Sequence, residues 1–173
     1  MNQEYWNKAL AFHGHSCPGL AIGLRACEAV AEKMGVSPAF DEEMVCITEN
    51  DTCSVDAIQA VMSCTLGKGN LIYKNIGKQA YTFICRKTGR AMRFYMKARQ
   101  NGMAPAEFRE YILRAPVDEL FSYQKVKVEM PEPARRFESV ACELCGESAA
   151  ELKIRLQEGK KVCLSCFREY SRW

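Results

Sequence analysis

Two histidines and a cysteine lie within five residues near the start of the chain. His13 and His15 are the only histidines of the 173-residue sequence, and Cys17 follows two residues after the second. Imidazole and thiolate are common side-chain ligands of zinc and related transition metals. Each residue type alone is usually structural, but three of them at one tight corner favour a site. The sequence therefore predicts a transition-metal site on His13, His15 and Cys17.

A second group of cysteines lies near the other end of the chain. It consists of two CxxC motifs separated by 17 residues. Each motif places two thiolates on one turn, and two such turns complete a tetrahedron around zinc. Two disulfides are the alternative, but they need an oxidising compartment that nothing in the sequence indicates. We predict a structural zinc ion held by Cys142, Cys145, Cys163 and Cys166, with no open position for catalysis.

Cys17 and Cys53 both fall at the predicted start of a helix, where the helix dipole favours a thiolate. Cys64 ends the helix that Cys53 begins, about 16 Å away at 1.5 Å per residue. One ion cannot take both residues from an unbroken helix. Cys53 is the preferred partner of Cys17, and Cys64 stays open as the alternative. The other three cysteines are interpreted as packing residues: Cys27, Cys46 and Cys85.

The elements that position these residues follow from the spacing of apolar side chains. Helices are predicted over 3–13, 17–34, 53–63 and 105–114, with a short turn of helix over 118–121. Strands are predicted over 44–48, 71–76, 81–86, 91–97 and 125–130. The expected fold class is α+β, with helices packed on a mostly antiparallel sheet, followed by a small zinc-ribbon-like domain. Gly19, Gly23 and Ala26 form a small-residue face, where we expect a second copy of the chain to pack.

Pro131 and Pro133 mark a linker over residues 131–136. The predicted domains are a core over residues 1–130 and a linker with a zinc finger over residues 131–173. The second domain has only about 43 residues, too few to bury a core that folds without metal.

Composition restricts the functional classes. The formal net charge is only +3, which disfavours nucleic acid as a partner, although it stays open as a lesser alternative. No apolar run approaches the ~18 residues of a membrane span, and the N-terminus lacks the features of a signal peptide. Ten cysteines without a secretory signal indicate a reducing compartment. We expect a cytoplasmic protein that does not bind membranes.

Three motifs occur in a fixed order along the first half of the chain. They are Phe12-His13-Gly14-His15-x-Cys17-Pro18-Gly19, Asp51-x-Cys53-x-x-Asp56-Ala57-Ile58-Gln59 and Cys64-Thr65-Leu66-Gly67-Lys68-Gly69-Asn70. In these motifs the sequence resembles the FmdE family, named after a component of formylmethanofuran dehydrogenase, over most of residues 10–97. The resemblance implies an intertwined homodimer with an α+β core, a C-terminal zinc finger as in some members, and a metal-associated cytoplasmic protein. Ser63 departs from the glycine expected before the third motif.

Three functions are compatible with these residues. The leading hypothesis is a metal-binding protein with a core site for zinc, nickel or iron and a separate structural zinc. Its role would be accessory, metal-handling or sensing, linked to molybdenum or tungsten enzymes. The second is an enzyme in which Cys17 or the metal is catalytic, with Asp51 or Asp56 as the orienting carboxylate. The third is a regulatory module whose zinc finger contacts a protein or RNA.

Overall fold

The computed structural model describes residues 1–172, which form two compact units, Met1–Ala134 and a second that begins at Arg135. The helices of the first unit are α1 (Gln3–His13), α2 (Pro18–Met34), α3 (Ser54–Met62), α4 (Pro105–Arg114) and α5 (Val117–Leu120). Its strands are β1 (Met44–Thr48), β2 (Leu71–Tyr73), β3 (Ala80–Cys85), β4 (Ala91–Met96) and β5 (Phe121–Lys125). Within residues 1–172, no helix is long and apolar enough to cross a membrane.

The five strands of the first unit form one sheet in the order β2-β1-β3-β4-β5. Neighbouring strands are antiparallel except β1 and β2, which are parallel, with Cys46 opposite Leu71. The α+β class with a mostly antiparallel sheet is therefore confirmed. Helix α3 connects the two parallel strands, as such a pair requires a crossover. The carboxyl ends of β1 and β2 consequently meet at one edge of the sheet.

Helix α2 is the centre of the core. Most of its residues are buried, among them Leu20 and Leu24, and they join Phe83 and Phe94 of the sheet in one apolar cluster. A Cβ atom at Gly23 would overlap the carbonyl oxygen of Ser54 and lie 2.7 Å from its Cα. The small-residue face of α2 therefore receives α3 of the same chain. The expectation that a second copy of the chain packs at Gly23 is wrong for this reason.

The last strand of the sheet begins earlier than predicted. We expected a strand over 125–130, from the alternation of valines with charged residues, but β5 covers Phe121–Lys125. Phe121 is buried and pairs with Met96 at the end of β4, which fixes the register. Val128 and Met130 are exposed, so their alternation marks no buried face.

The second unit consists of two antiparallel hairpins. The strands are β6 (Ser139–Ala141) with β7 (Ser148–Ala150), and β8 (Ile154–Gln157) with β9 (Lys160–Cys163); a 3₁₀ turn, Glu151–Lys153, lies between the hairpins. The first CxxC motif follows β6, and the second begins at the last residue of β9.

Candidate metal centres

The second unit brings its four cysteines together. The sulfur atoms of Cys142, Cys145, Cys163 and Cys166 all lie within 4.8 Å of one another. The backbone N–H of Cys163 donates to the Sγ of Cys142 at 3.3 Å. Gly146 adopts a left-handed backbone with φ 78°, and its N–H donates to the Cys142 carbonyl at 2.8 Å. The first motif is thus a tight turn that aims both thiols at one point.

Electrostatics explain why this group requires a cation. Backbone N–H groups, that of Cys145 foremost, lower the pKa of Cys142 to about 6. The neighbouring Cys145 and Cys163 sulfurs raise the pKa of Cys166 to about 12. One thiolate is therefore stabilised locally, whereas four adjacent thiolates repel one another. A bound dication removes that repulsion, since a coordinated thiol is deprotonated.

The first unit forms a second group where three helices meet. One ligand atom from each of His13, Cys17 and Cys53 lies within 4.8 Å of the others. His13 is the last residue of α1, while Cys17 and Cys53 directly precede α2 and α3. Gly14 ends α1 in a left-handed conformation at φ 87°, and this sharp corner returns the chain so that Cys17 faces His13.

Hydrogen bonds orient two members of this group. The Nδ1 atom of His13 lies 2.7 Å from the Oδ2 atom of Asp56. An Nδ1–H that donates to this carboxylate leaves the Nε2 lone pair free, and Nε2 lies 3.8 Å from the Cys17 Sγ. The Cys17 Sγ also accepts a hydrogen bond from the backbone N–H of Leu20 at 3.3 Å, as a helix N-cap. Both ligand atoms therefore face the same point.

Cys53 approaches from α3. A Cβ atom on Gly19 would lie 3.0 Å from the Cβ of Cys53, so the glycine leaves just enough room for this residue. Burial and the adjacent Cys17 thiol raise the pKa of Cys53. Two thiolates this close are unfavourable together without a positive charge.

Buried polar residues fix the segment that carries Cys53. The Tyr81 hydroxyl lies 2.6 Å from Ser54 Oγ, and Ser54 Oγ donates to Asn50 Oδ1 at 3.2 Å. Tyr81, Ser54 and Asn50 are almost fully buried. Sequence reasoning did not find this network, because Tyr81 lies in a strand 27 residues away from Ser54 and resembles a core aromatic residue.

Other predicted residues lie outside this group. His15 is exposed, and its ring centroid lies 4.5 Å from that of His13. Cys64 is fully buried, and its thiol donates to the Met44 carbonyl at 3.7 Å. Burial raises the pKa of Cys64 to about 12, which keeps it a neutral thiol.

A cleft adjoins the core group at the carboxyl ends of the parallel strands β1 and β2. Its volume is about 490 Å³. Its walls include His13, Cys53 and Asp56, together with residues from the segment after β1 and from both strands: Thr48, Asn50, Asp51, Thr52, Val55, Gln59, Leu66, Leu71 and Tyr73. Ligands characteristically bind at this end of parallel strands.

Replacement of Asp56 by asparagine is expected to weaken zinc binding at the core group. Asparagine keeps the size of the side chain but removes the charge that fixes the His13 ring and raises its basicity. Loss of such a partner typically reduces metal affinity by about 10- to 100-fold. Competition with a chromophoric chelator measures the affinity, and Asp118→Asn on α5 is the matched control. Equal affinities in the two variants would contradict the role of Asp56.

Comparison with known proteins agrees with these geometries. Residues 12–138 match the family model FmdE, described as "molybdenum formylmethanofuran dehydrogenase operon", and residues 135–172 match the prokaryotic dksA/traR C4-type zinc finger. A relative from Archaeoglobus fulgidus, named "probable S-adenosyl-L-methionine-binding protein", is 32% identical over 196 aligned residues. That alignment covers 94% of this chain but only 52% of the relative, so the chain spans about half of its length.

A solved structure has the same fold. It is the crystal structure of a tungsten formylmethanofuran dehydrogenase FmdE-like protein from Syntrophus aciditrophicus, with a TM-score of 0.72 and 24% identity. The similarity covers 95% of this chain and 90% of the other. Since the family model matches most of the sequence, from the His13 motif to the zinc finger, the chain belongs to the FmdE family.

Proposed function

We propose that this protein binds one transition-metal ion in its core unit and one structural zinc ion in its C-terminal unit. The core centre consists of His13, Cys17 and Cys53, with zinc, nickel or iron as the ion. The role that best fits such a protein is metal handling or sensing, as an accessory to molybdenum or tungsten enzymes. One observation carries the proposal: three ligand atoms from three separate elements converge within 4.8 Å beside a cleft.

The two centres differ in what they leave open. Four protein ligands close a tetrahedral zinc site, whereas three leave one position for water or a small molecule. His13 and Cys53 belong both to the core group and to the cleft wall. A bound ion would supply Lewis acidity there. The chain itself supplies the orientation of His13 through Asp56 and of Cys17 through the N–H of Leu20.

The link to molybdenum and tungsten enzymes is supported by names alone, those of the FmdE family and of the Syntrophus aciditrophicus protein. The name of the Archaeoglobus fulgidus relative makes S-adenosyl-L-methionine one ligand to test in the cleft. The family resemblance also supports a cytoplasmic homodimer. Light scattering would then give twice the chain mass of 19.6 kDa, and a monomer would contradict this part of the proposal.

Metal analysis of the full chain tests the two-centre proposal. We expect two metal ions per chain in the wild type and one in Cys17→Ser or Cys53→Ser, because each substitution removes a ligand of the three-residue centre. Cys27→Ser changes a buried cysteine of the apolar core and should keep both ions. His15→Ala should keep both as well, since His15 lies outside the group. One ion per wild-type chain would reject the core centre.

A cysteine-dependent enzyme is a second candidate, favoured by one observation. Cys17, His13 and Asp56 form a chain of contacts at 3.8 and 2.7 Å, the order of a nucleophile, its base and an orienting carboxylate. Iodoacetamide labelling separates the two functions. If the metal centre is correct, a chelator should expose Cys17 and accelerate its alkylation. Rapid alkylation that chelators do not change would favour the enzyme.

A further inference from the structure

The cleft beside the core group has an acidic wall. We infer that it selects a small organic ligand with a nitrogen donor and a neutral or cationic body, and that it rejects anions. This inference rests on the proposed core metal centre, because the nitrogen donor would take the position that the three protein ligands leave open.

The charges of the lining carry the first step. Asp51 and Asp56 are the only charged side chains among the described residues that line the cleft, apart from the ligand residues themselves. The nearby Lys68 does not line it, because its ammonium group donates to the carbonyl of Asp41 and the hydroxyl of Ser63. An anion that enters the cleft therefore meets carboxylates with no cation in the wall to balance them.

The charge of the centre itself carries the second step. Two thiolates, Cys17 and Cys53, cancel the charge of a divalent ion when His13 is neutral. The positive N-terminal ends of α2 and α3 point at these same thiolates. A carboxylate or phosphate on the open position would make the centre anionic beside Asp51 and Asp56. A neutral nitrogen donor adds no charge.

Asp51 is prepared to receive a donor group. Its Oδ2 atom accepts hydrogen bonds from the Tyr73 hydroxyl and the Asn75 side-chain amide, each at 3.0 Å. Its Oδ1 atom has no such partner among residues 1–172, and the side chain is exposed. The carboxylate is thus held in place with one oxygen free, the arrangement that suits an ammonium or N–H group of a ligand.

The size and the apolar walls define the rest of the ligand. A volume of about 490 Å³ lies in the range of pockets for organic molecules and exceeds the need of a single ion. Val55, Leu66 and Leu71 line the cleft with the ring of Tyr73. The ligand class is therefore an amphipathic amine or nitrogen heterocycle.

Three probes with one donor and different charges test this inference. They are 3-(imidazol-1-yl)propylamine, 1-propylimidazole and 3-(imidazol-1-yl)propanoate, titrated calorimetrically into the zinc-loaded full chain at about pH 8.5, where the rings are neutral. The closed four-cysteine centre offers them no position. We expect the amine to bind at least about tenfold more tightly than the carboxylate, from the attraction and repulsion of two nearby carboxylates.

The control variants locate the effect. Asp51→Asn should reduce the amine-to-carboxylate ratio by at least about threefold, whereas Asp118→Asn on α5 should leave the ratio unchanged. Equal or tighter binding of the carboxylate, or no binding of any probe to a chain with two zinc ions, would overturn the inference and spare the metal centre. A chain with only one zinc ion would overturn both.

Discussion

Removal of metal is expected to unfold the C-terminal unit, which begins at Arg135, and to leave the core unit folded. The buried apolar cluster of the C-terminal unit contains only Cys142, Val162 and Cys163. Two of these three residues are metal ligands, so little apolar burial is left when the ion leaves. Structural zinc contributes about 10–16 kcal/mol to the folding of comparable peptides, more than such a unit can replace.

The core unit has an apolar cluster that does not depend on a metal. Leu20 and Leu24 of α2 are fully buried against Phe83 and Phe94 of the sheet. Limited proteolysis of the full chain, with and without chelator, measures the difference. We expect rapid cleavage after residue 135 in the chelated protein and slow cleavage before it.

A matched pair of variants separates the loss of zinc from other effects of the chelator. Cys145→Ser removes one ligand and should reproduce the cleavage pattern of the chelated protein. Ser165→Ala changes an exposed non-ligand residue inside the second CxxC motif and should behave as the wild type. Loss of cooperative unfolding of the core in Cys145→Ser would contradict two independent units.

The sequence predicted the features that depend on neighbours along the chain. The apolar spacing and Gly14 placed α1 at its observed bounds, Gln3–His13, and Pro18 with Gly35 placed α2 within one residue. The two CxxC motifs are local turns, so their cysteines were recognisable without a fold. Strand β5 was displaced because its register is fixed by Phe121 opposite Met96, a pairing between distant residues.

The core group required the tertiary structure. His13 and Cys17 lie four residues apart, and their corner was predicted from Gly14 and Pro18. His15 lies outside the group because α1 continues to His13, so the segment is not extended and its alternate residues do not share a side. The selection of Cys53, the bond from His13 to Asp56 and the support of Asp51 by Tyr73 all depend on how α3 and β2 pack.

Replacement of Gly23 by alanine is expected to damage both the core and its metal centre. The new methyl group would overlap the Ser54 carbonyl oxygen and lie 2.8 Å from the Ala57 Cβ. These atoms belong to the first turns of α3 and cannot move as a flexible side chain does. Overpacking against backbone should reduce the free energy of unfolding by at least about 3 kcal/mol, measured by urea denaturation.

The same substitution should weaken the core metal centre, although Gly23 is not a ligand. Cys53 directly precedes Ser54, so a shift of α3 away from α2 moves the Cys53 sulfur away from His13 and Cys17. Gly67→Ala is the control, since a Cβ atom there meets nothing within 4 Å and its backbone is not left-handed. If Gly23→Ala unfolds within about 0.5 kcal/mol of the control, the packing of α2 on α3 does not position Cys53. If its stability falls but its core metal affinity equals that of the control, the three ligands are held together by the loops instead.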